Sequence, residues 1–226
     1  IVKEIAEKGH EIANHSMNHR VNFRSLTSKE KEQEIKDAEE IIRDTVGARP
    51  IGFRAPNFDI DETTLEILEA RGYVYDSSIL PAYLFSNKNI HGFSPLSPYP
   101  PSQKNIWRKG QRGIIEIPVS TVPIIRVPYQ SSFVIAAHNF NLGPLVFYLG
   151  FFLTKLMRLP LNYVFHLAEL ADSCDDRRLS YFQGLRIPLK KRYEMISLIL
   201  KKITGTFTVF STNKFIKFYH NNLESP

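Results

Sequence analysis

The hydrophobic and polar positions of this chain repeat with two alternating periods, and each switch between them marks a short strand or a helix. Apolar residues at 1, 2, 5 and 6 recur at helical spacing, and Gly9 stops the run as a helix terminus does. A strand-like piece, His10 to Ala13, then ends at Asn14 and His15. Thr27 followed by Glu30 has the spacing of a capping box, so a helix is predicted from about Thr27 to Val46, closed by Gly47. A strand at Ile51 to Phe53 follows. The next helix, about Glu62 to Arg71, is capped by Asp59 or Asp61 and stops at Gly72, ahead of a strand at Tyr73 to Tyr75. Later strand signals fall at Ile114 to Ile117, Asn162 to Phe165 and Thr206 to Phe210, with a helix at about Pro188 to Thr204. Ser86 to Arg112, rich in proline, asparagine and serine, reads as a long irregular loop.

This alternation predicts an α/β fold of parallel β/α units. No internal repeat and no linker interrupts it, so residues 1–226 read as one domain. In such folds functional groups gather where strands end and loops begin. Those positions here are His15 and His19, Arg54 to Asn57, Asp76, and His166.

Composition changes this picture little. A hydrophobic fraction of 43% excludes a disordered chain. Cys174 is the sole cysteine, which excludes a disulfide framework and a cysteine-based zinc site; a packed, inert thiol is expected. The net charge of +6 raises nucleic acid as a partner. The densest cluster is Lys190, Lys191 and Arg192, and no RNA-binding or helix-turn-helix signature accompanies it. The charge therefore reads as a solvated surface, with no nucleic-acid partner. From Gly143 to Leu153 the chain reads GPLVFYLGFFL, about half the ~20 residues that a spanning helix needs. A buried helix starting near Pro144 is expected rather than a transmembrane segment, with interfacial contact as the alternative.

His15 and His19, four positions apart, are either two ligands of one metal ion or two surface histidines. The proline after Arg54 fixes the backbone there and can hold an amide N–H toward a reaction centre. Arg54 alone reads equally as a partner for a carboxylate beneath a loop, and Asp76 as a turn cap. His166, after Tyr163-Val164-Phe165, is a general acid or base, or a hydrogen-bonded structural histidine.

Taken in order, GHEIANHSMNH, GFRAPNFD, YDSSILP, IIEIPVST and YVFHLAEL resemble the polysaccharide deacetylase family, the NodB homology domain of carbohydrate esterase family four. The form of GFRAP and YDSSI is most similar to the subgroup found near exosortase and exopolysaccharide genes. The resemblance runs from about Gly9 to Thr212. It implies an irregular barrel of seven β/α units, here without its first unit, and hydrolysis of N-acetyl groups on the amino sugars of a polysaccharide. It also implies a divalent metal, usually zinc, held by His15 and His19. Arg54 would orient the catalytic carboxylate, and Pro56 and the backbone N–H near Asn57 would stabilise an oxyanion. Asp76 would hold His166 protonated as the general acid.

Three departures from the family pattern stand out. The strand ending in paired aspartates, which supplies the base and the third metal ligand, is absent and is expected upstream of Ile1. Ser78 and Ile79 occupy the region of the second acidic residue and tryptophan of the fourth motif. Leu167 and Ala168 follow His166 where proline and tryptophan are expected. These departures lead to the expectation that the 226-residue chain alone is inactive. Two alternatives share this motif set: hydrolysis of a small cyclic amide, as in the allantoinase-like branch, and a non-catalytic carbohydrate binder descended from a deacetylase.

Overall fold

The computed structural model describes residues 1–83, 92–138, 142–172 and 187–223; Cys174 and the first part of the predicted 86–112 loop lie outside them. The chain forms two compact units whose segments alternate along the sequence. Unit 1 comprises Ile1–Leu80, Asn87–Pro118 and Phe210–Pro226, and unit 2 comprises Pro81–Ser86 and Val119–Val209. Because the chain returns to unit 1 twice, no shift in composition marks the division.

Unit 1 contains helices α1 (Val2–Glu7), α2 (Ser28–Val46), α3 (Glu62–Ala70) and α7 (Thr212–Leu223) and strands β1 (Gly52–Phe53), β2 (Tyr75–Asp76) and β3 (Ile115–Glu116). The capping box of α2 forms as the sequence predicts. Thr27 Oγ1 accepts the Glu30 N–H, and Glu30 Oε2 accepts the Thr27 N–H at 2.8 Å. Gly47 ends the helix at φ 80°, a conformation a side chain rarely adopts. Asp61 caps α3 through the Thr64 N–H and also receives Lys31 Nζ of α2 at 2.6 Å. One carboxylate thus starts one helix and ties it to another.

The three strands lie in the order β1-β2-β3, all parallel. Gly52 pairs with Tyr75, which pairs with Ile115; Phe53 pairs with Asp76, which pairs with Glu116. Asn14 continues the second row, bridged in parallel to Phe53, and Tyr99 meets Glu116 antiparallel at the other edge. Phe23, Ile35, Phe53, Leu65, Leu68 and Ile114 form a buried core in this unit.

Unit 2 contains α4 (Ser131–His138), α5 (Gly143–Leu156) and α6 (Leu189–Thr204). Its core is Val122, Tyr129, Val134, Phe147, Phe151 and Ile199. The predicted helix beginning near Pro144 is α5, with the proline in its first turn.

The sheet differs from the predicted seven-stranded barrel: among the described residues it is open and three-stranded. The predicted strand His10 to Ala13 is reduced to the single bridge at Asn14, and two later predicted strands do not form, for identifiable reasons. Asn162 exchanges bonds with Ser120, but its N–H goes to the Ser120 hydroxyl at 2.8 Å rather than to a carbonyl, so no ladder propagates. Thr206 and Phe207 donate back to the Ile203 carbonyl and are drawn into the terminal turn of α6. The reading of all the charge as solvated also needs correction. Arg192 is fully buried, donating to the carbonyls of Ile187, Glu169 and Ala171 and to Asp172.

The β1–β2 contact leaves no room for a methyl group on Gly52, where an added Cβ would run into the Tyr75 ring. Gly52→Ala is expected to destabilise unit 1 by about 1–3 kcal/mol. Thr27→Ala, which removes only a cap, is expected to cost about 1 kcal/mol. The single tryptophan, Trp107, packs against the unit 1 core, so urea midpoints read by its fluorescence check both values.

Candidate active site

The candidate residues of unit 1 stand along one rim of the sheet because its register places them there. Asn14, Phe53, Asp76 and Glu116 form one row, and the next residue along each segment is His15, Arg54, Ser77 and Ile117. Hydrogen bonds run across that second row without a break. His15 Nδ1 lies 2.6 Å from the Arg54 carbonyl oxygen. Arg54 donates Nε to the Ser77 carbonyl and Nη2 to the Ser77 hydroxyl, both at 2.7 Å. Ser77 in turn donates its hydroxyl to the Ile117 carbonyl at 2.8 Å.

A carbonyl only accepts, so His15 Nδ1 carries a proton, and in a neutral ring the lone pair is then on Nε2. This is the tautomer a metal-ligating imidazole needs, with its other nitrogen fixed by an outer acceptor. The segment after Asn14 turns sharply, with Ser16 at φ 62° and His19 at φ 49°. The Ser16 N–H donates to Asn14 Oδ1 and the His19 N–H to Ser16 Oγ. The turn brings the two imidazoles together edge to face, with ring centroids 4.9 Å apart and planes at 76°. Two imidazoles sharing one zinc ion at ordinary bond lengths have centroids about 5 Å apart. Both histidines are exposed. The pair fits one side of a divalent-metal site. Among the described residues no group of three His, Cys, Asp or Glu side chains completes it. The chain's one adjacent aspartate pair, Asp175 and Asp176, lies outside the described residues.

Two residues that the sequence did not single out hold this loop. Asn14 is fully buried and donates Nδ2 to the Ile35 carbonyl and the Tyr73 hydroxyl, both at 2.8 Å. Glu34, on α2, accepts the Asn18 N–H at one oxygen and Asn18 Nδ2 at the other, both at 2.8 Å. The signal for Glu34 was present, since it lies on the inward face of an amphipathic helix where a carboxylate needs a partner.

Pro56 is buried and opens a single 3-10 turn, Pro56–Phe58, in which Asn57 adopts φ 52°. Asn57 is exposed, and its Nδ2 approaches the Val21 carbonyl at 3.5 Å. The first N–H groups of such a turn have no partner within it, which suits the Asn57 N–H to an oxyanion.

Asp76 and Glu116 are both fully buried, and as register partners on adjacent parallel strands they project to the same face. Asp76 accepts the Ser78 hydroxyl at 2.7 Å and the Ser78 N–H at 3.1 Å; Glu116 Oε1 accepts the Ile79 N–H at 3.0 Å. With both carboxyls ionised, Glu116 Oε2 has no partner. One shared proton resolves this. Burial pushes both carboxyls above their ordinary range, and the charge of Asp76 raises Glu116 further. Asp76 has more donors, so the proton resides on Glu116 and is donated to Asp76. Burial draws the Arg54 guanidinium below its usual value, while Asp76 and Glu116 oppose that shift.

His166 belongs to unit 2. It is exposed and precedes the 3-10 turn Leu167–Leu170, with Nδ1 3.3 Å from Oε1 of the buried Glu169. The carboxylate beside its ring is therefore Glu169, and the partners of Asp76 include Ser78 and Glu116. Ser77 and Glu116 are further residues that the sequence did not single out, and Ser78 stood out there only as a departure from the family pattern.

Residues 1–75 match the model of the polysaccharide deacetylase family. The chain is 33% identical over 79 residues to a peptidoglycan deacetylase of Helicobacter pylori, covering 35% of this chain and 27% of that protein. It is 34% identical over 77 residues to a peptidoglycan deacetylase-like protein of Gibberella zeae, covering 34% of this chain and 22% of that protein. The match thus spans about a quarter of the length of these curated relatives. Among solved structures, a putative polysaccharide deacetylase from Mycobacterium smegmatis is similar at 24% identity and a TM-score of 0.41, over 53% of this chain and 35% of that one. A family 4 carbohydrate esterase from Streptomyces lividans, in complex with acetate, is similar at 24% identity and a TM-score of 0.32, over 34% and 38%.

Folding raises the Glu116 pKa above its ordinary value of 4.5. The stability its proton provides is therefore complete below that value and is lost as pH rises through the folded value. Glu116→Gln keeps a donor toward Asp76 and cannot ionise. Across pH about 5 to about 8, the urea midpoint of unit 1 is expected to fall with pH in the native chain and to fall less steeply in this variant. Equal slopes count against the shared proton.

Proposed function

We propose that this chain is the metal-binding part of a hydrolase that removes N-acetyl groups from the amino sugars of a polysaccharide. The observation that carries this reading is the edge-to-face pair of His15 and His19 with His15 Nδ1 turned onto the Arg54 carbonyl. The family match over residues 1–75 covers His15, His19 and the RAPN segment, and supports the same chemistry.

In this reading His15 and His19 hold a divalent transition metal, zinc before others, through ring nitrogens. When bound, the ion polarises the acetamide carbonyl and acidifies water. The chain's own residues supply orientation. Arg54 fixes the His15 tautomer through its carbonyl, and Pro56 presents the Asn57 N–H toward the developing oxyanion. The base and the third metal ligand are assigned, on the resemblance, to the paired aspartates of the family's first motif. His166 is kept as the candidate acid for the departing amine on the resemblance alone. Glu169 is the carboxylate suited to orient its ring.

The donor geometry leads to a direct expectation. Calorimetric titration of this chain with zinc should show binding that His15→Ala abolishes. Glu34→Ala, which releases Asn18 without touching a ligand, should weaken binding by about 10–100-fold. Undiminished affinity in His15→Ala removes the basis of the assignment. With zinc and an N-acetylated chitooligosaccharide, the 226-residue chain alone should release no acetate; robust release would show that the paired aspartates are not required.

A further inference from the structure

Helix α5 has two apolar faces, of which unit 2 covers one. Phe147, Gly150, Phe151 and Thr154 are buried. Gly150 lies against the Tyr129 ring, and Thr154 shares a hydrogen bond with the Tyr129 hydroxyl at 2.8 Å. On the outward side Leu145, Leu149, Phe152 and Leu156 follow at spacings of four, three and four, a single stripe on the helix surface. They are 62%, 38%, 60% and 64% exposed, and Tyr148 beside them is 45% exposed. That much contiguous apolar surface on a folded unit marks an interaction site.

The charge around the stripe has one sign. Helix α5 contains no acidic residue, and Lys155 and Arg158 at its C-terminal end are exposed. Lys202 Nζ lies 5.7 Å from the centre of the Phe151 ring, which sets the exposed pair Lys201 and Lys202, at the end of α6, alongside α5. Over 119–138, 142–172 and 187–209, unit 2 carries eight lysines and arginines against three carboxylates.

We propose that the outer face of α5 lies flat on an anionic lipid surface, its leucines and Phe152 entering the acyl boundary and its lysines meeting the headgroups. An apolar stripe with an amphipathic tyrosine and flanking cations is the pattern of an interfacial helix. The 14 residues of α5 extend about 21 Å, short of the roughly 30 Å of a hydrocarbon core. Among the described residues no helix is long and apolar enough to cross a membrane. The helix therefore rests on the bilayer and does not span it. A second copy of this face is a poorer occupant, because two-fold pairing would bring both sets of lysines together. This inference rests on unit 2 alone and is independent of the hydrolase reading.

Sedimentation with vesicles tests it. The chain should partition onto phosphatidylglycerol-containing vesicles, release as salt is raised, and stay in solution with phosphatidylcholine alone. Leu149→Ser with Phe152→Ser, and separately Lys201→Glu with Lys202→Glu, should each lower partitioning roughly tenfold or more. Far-UV circular dichroism melting of each variant checks that unit 2 remains folded; should the apolar variant unfold, the lysine variant, whose side chains are exposed, decides alone. Absence of partitioning, equal partitioning onto both vesicle types, or a dimer in light scattering that the apolar variant dissolves would each overturn the proposal.

Discussion

The run of hydrogen bonds from His15 through Arg54 and Ser77 to Ile117 is the constraint on which the rest of the rim depends. It joins four chain segments that are far apart in sequence, through one bond at the first and last crossings and two between Arg54 and Ser77, all 2.6–2.8 Å long. The sheet beneath is short, with two residues in each strand. Backbone pairing that brief does not fix side-chain positions by itself. The side chains of the rim complete what the strands begin, and Ser78 adds a further tie by accepting the Ala55 N–H while donating to Asp76.

The arrangement also accounts for an unusual concentration of buried polar groups. Asn14, Asp76, Ser78 and Glu116 are all under 1% exposed, and each is hydrogen-bonded to a neighbouring segment. An unpaired carboxylate at such depth is strongly unfavourable, so the Asp76–Glu116 pair carries one negative charge rather than two. The nearby Arg54 guanidinium balances that charge. The polar interior is therefore nearly neutral while remaining directional, which favours one register over slipped alternatives.

Much of this was legible in the sequence where the signal was local. The capping box of α2 lies within a few residues and forms as the sequence predicts, and of the two caps it offers for α3, Asp59 and Asp61, the second forms. Glu116 was not legible, because its meaning depends on standing opposite Asp76, forty positions away in the chain and one strand away in space. Helix α4, SSFVIAAH, escaped notice because it is apolar on nearly every side and shows no stripe. Helix α7 opens at Thr212, beyond the last predicted strand, and its Phe215 and Ile216 pack with Tyr75 and Ile115 of the sheet. Arg192 read as surface charge because a run of three cations gives no hint that one turns inward toward carbonyls.

The atom that fixes the His15 ring belongs to the main chain. Genetic drift at position 54 can exchange the guanidinium for another group, yet every amino acid brings the same carbonyl oxygen to that place. The imidazole's orientation is thereby insulated from point substitution at its own acceptor. Only changes that displace the backbone itself, by loosening the Asn14 bridge or the loop that Glu34 grips, reach it. The residues that guard the ring are therefore the ones that never touch it.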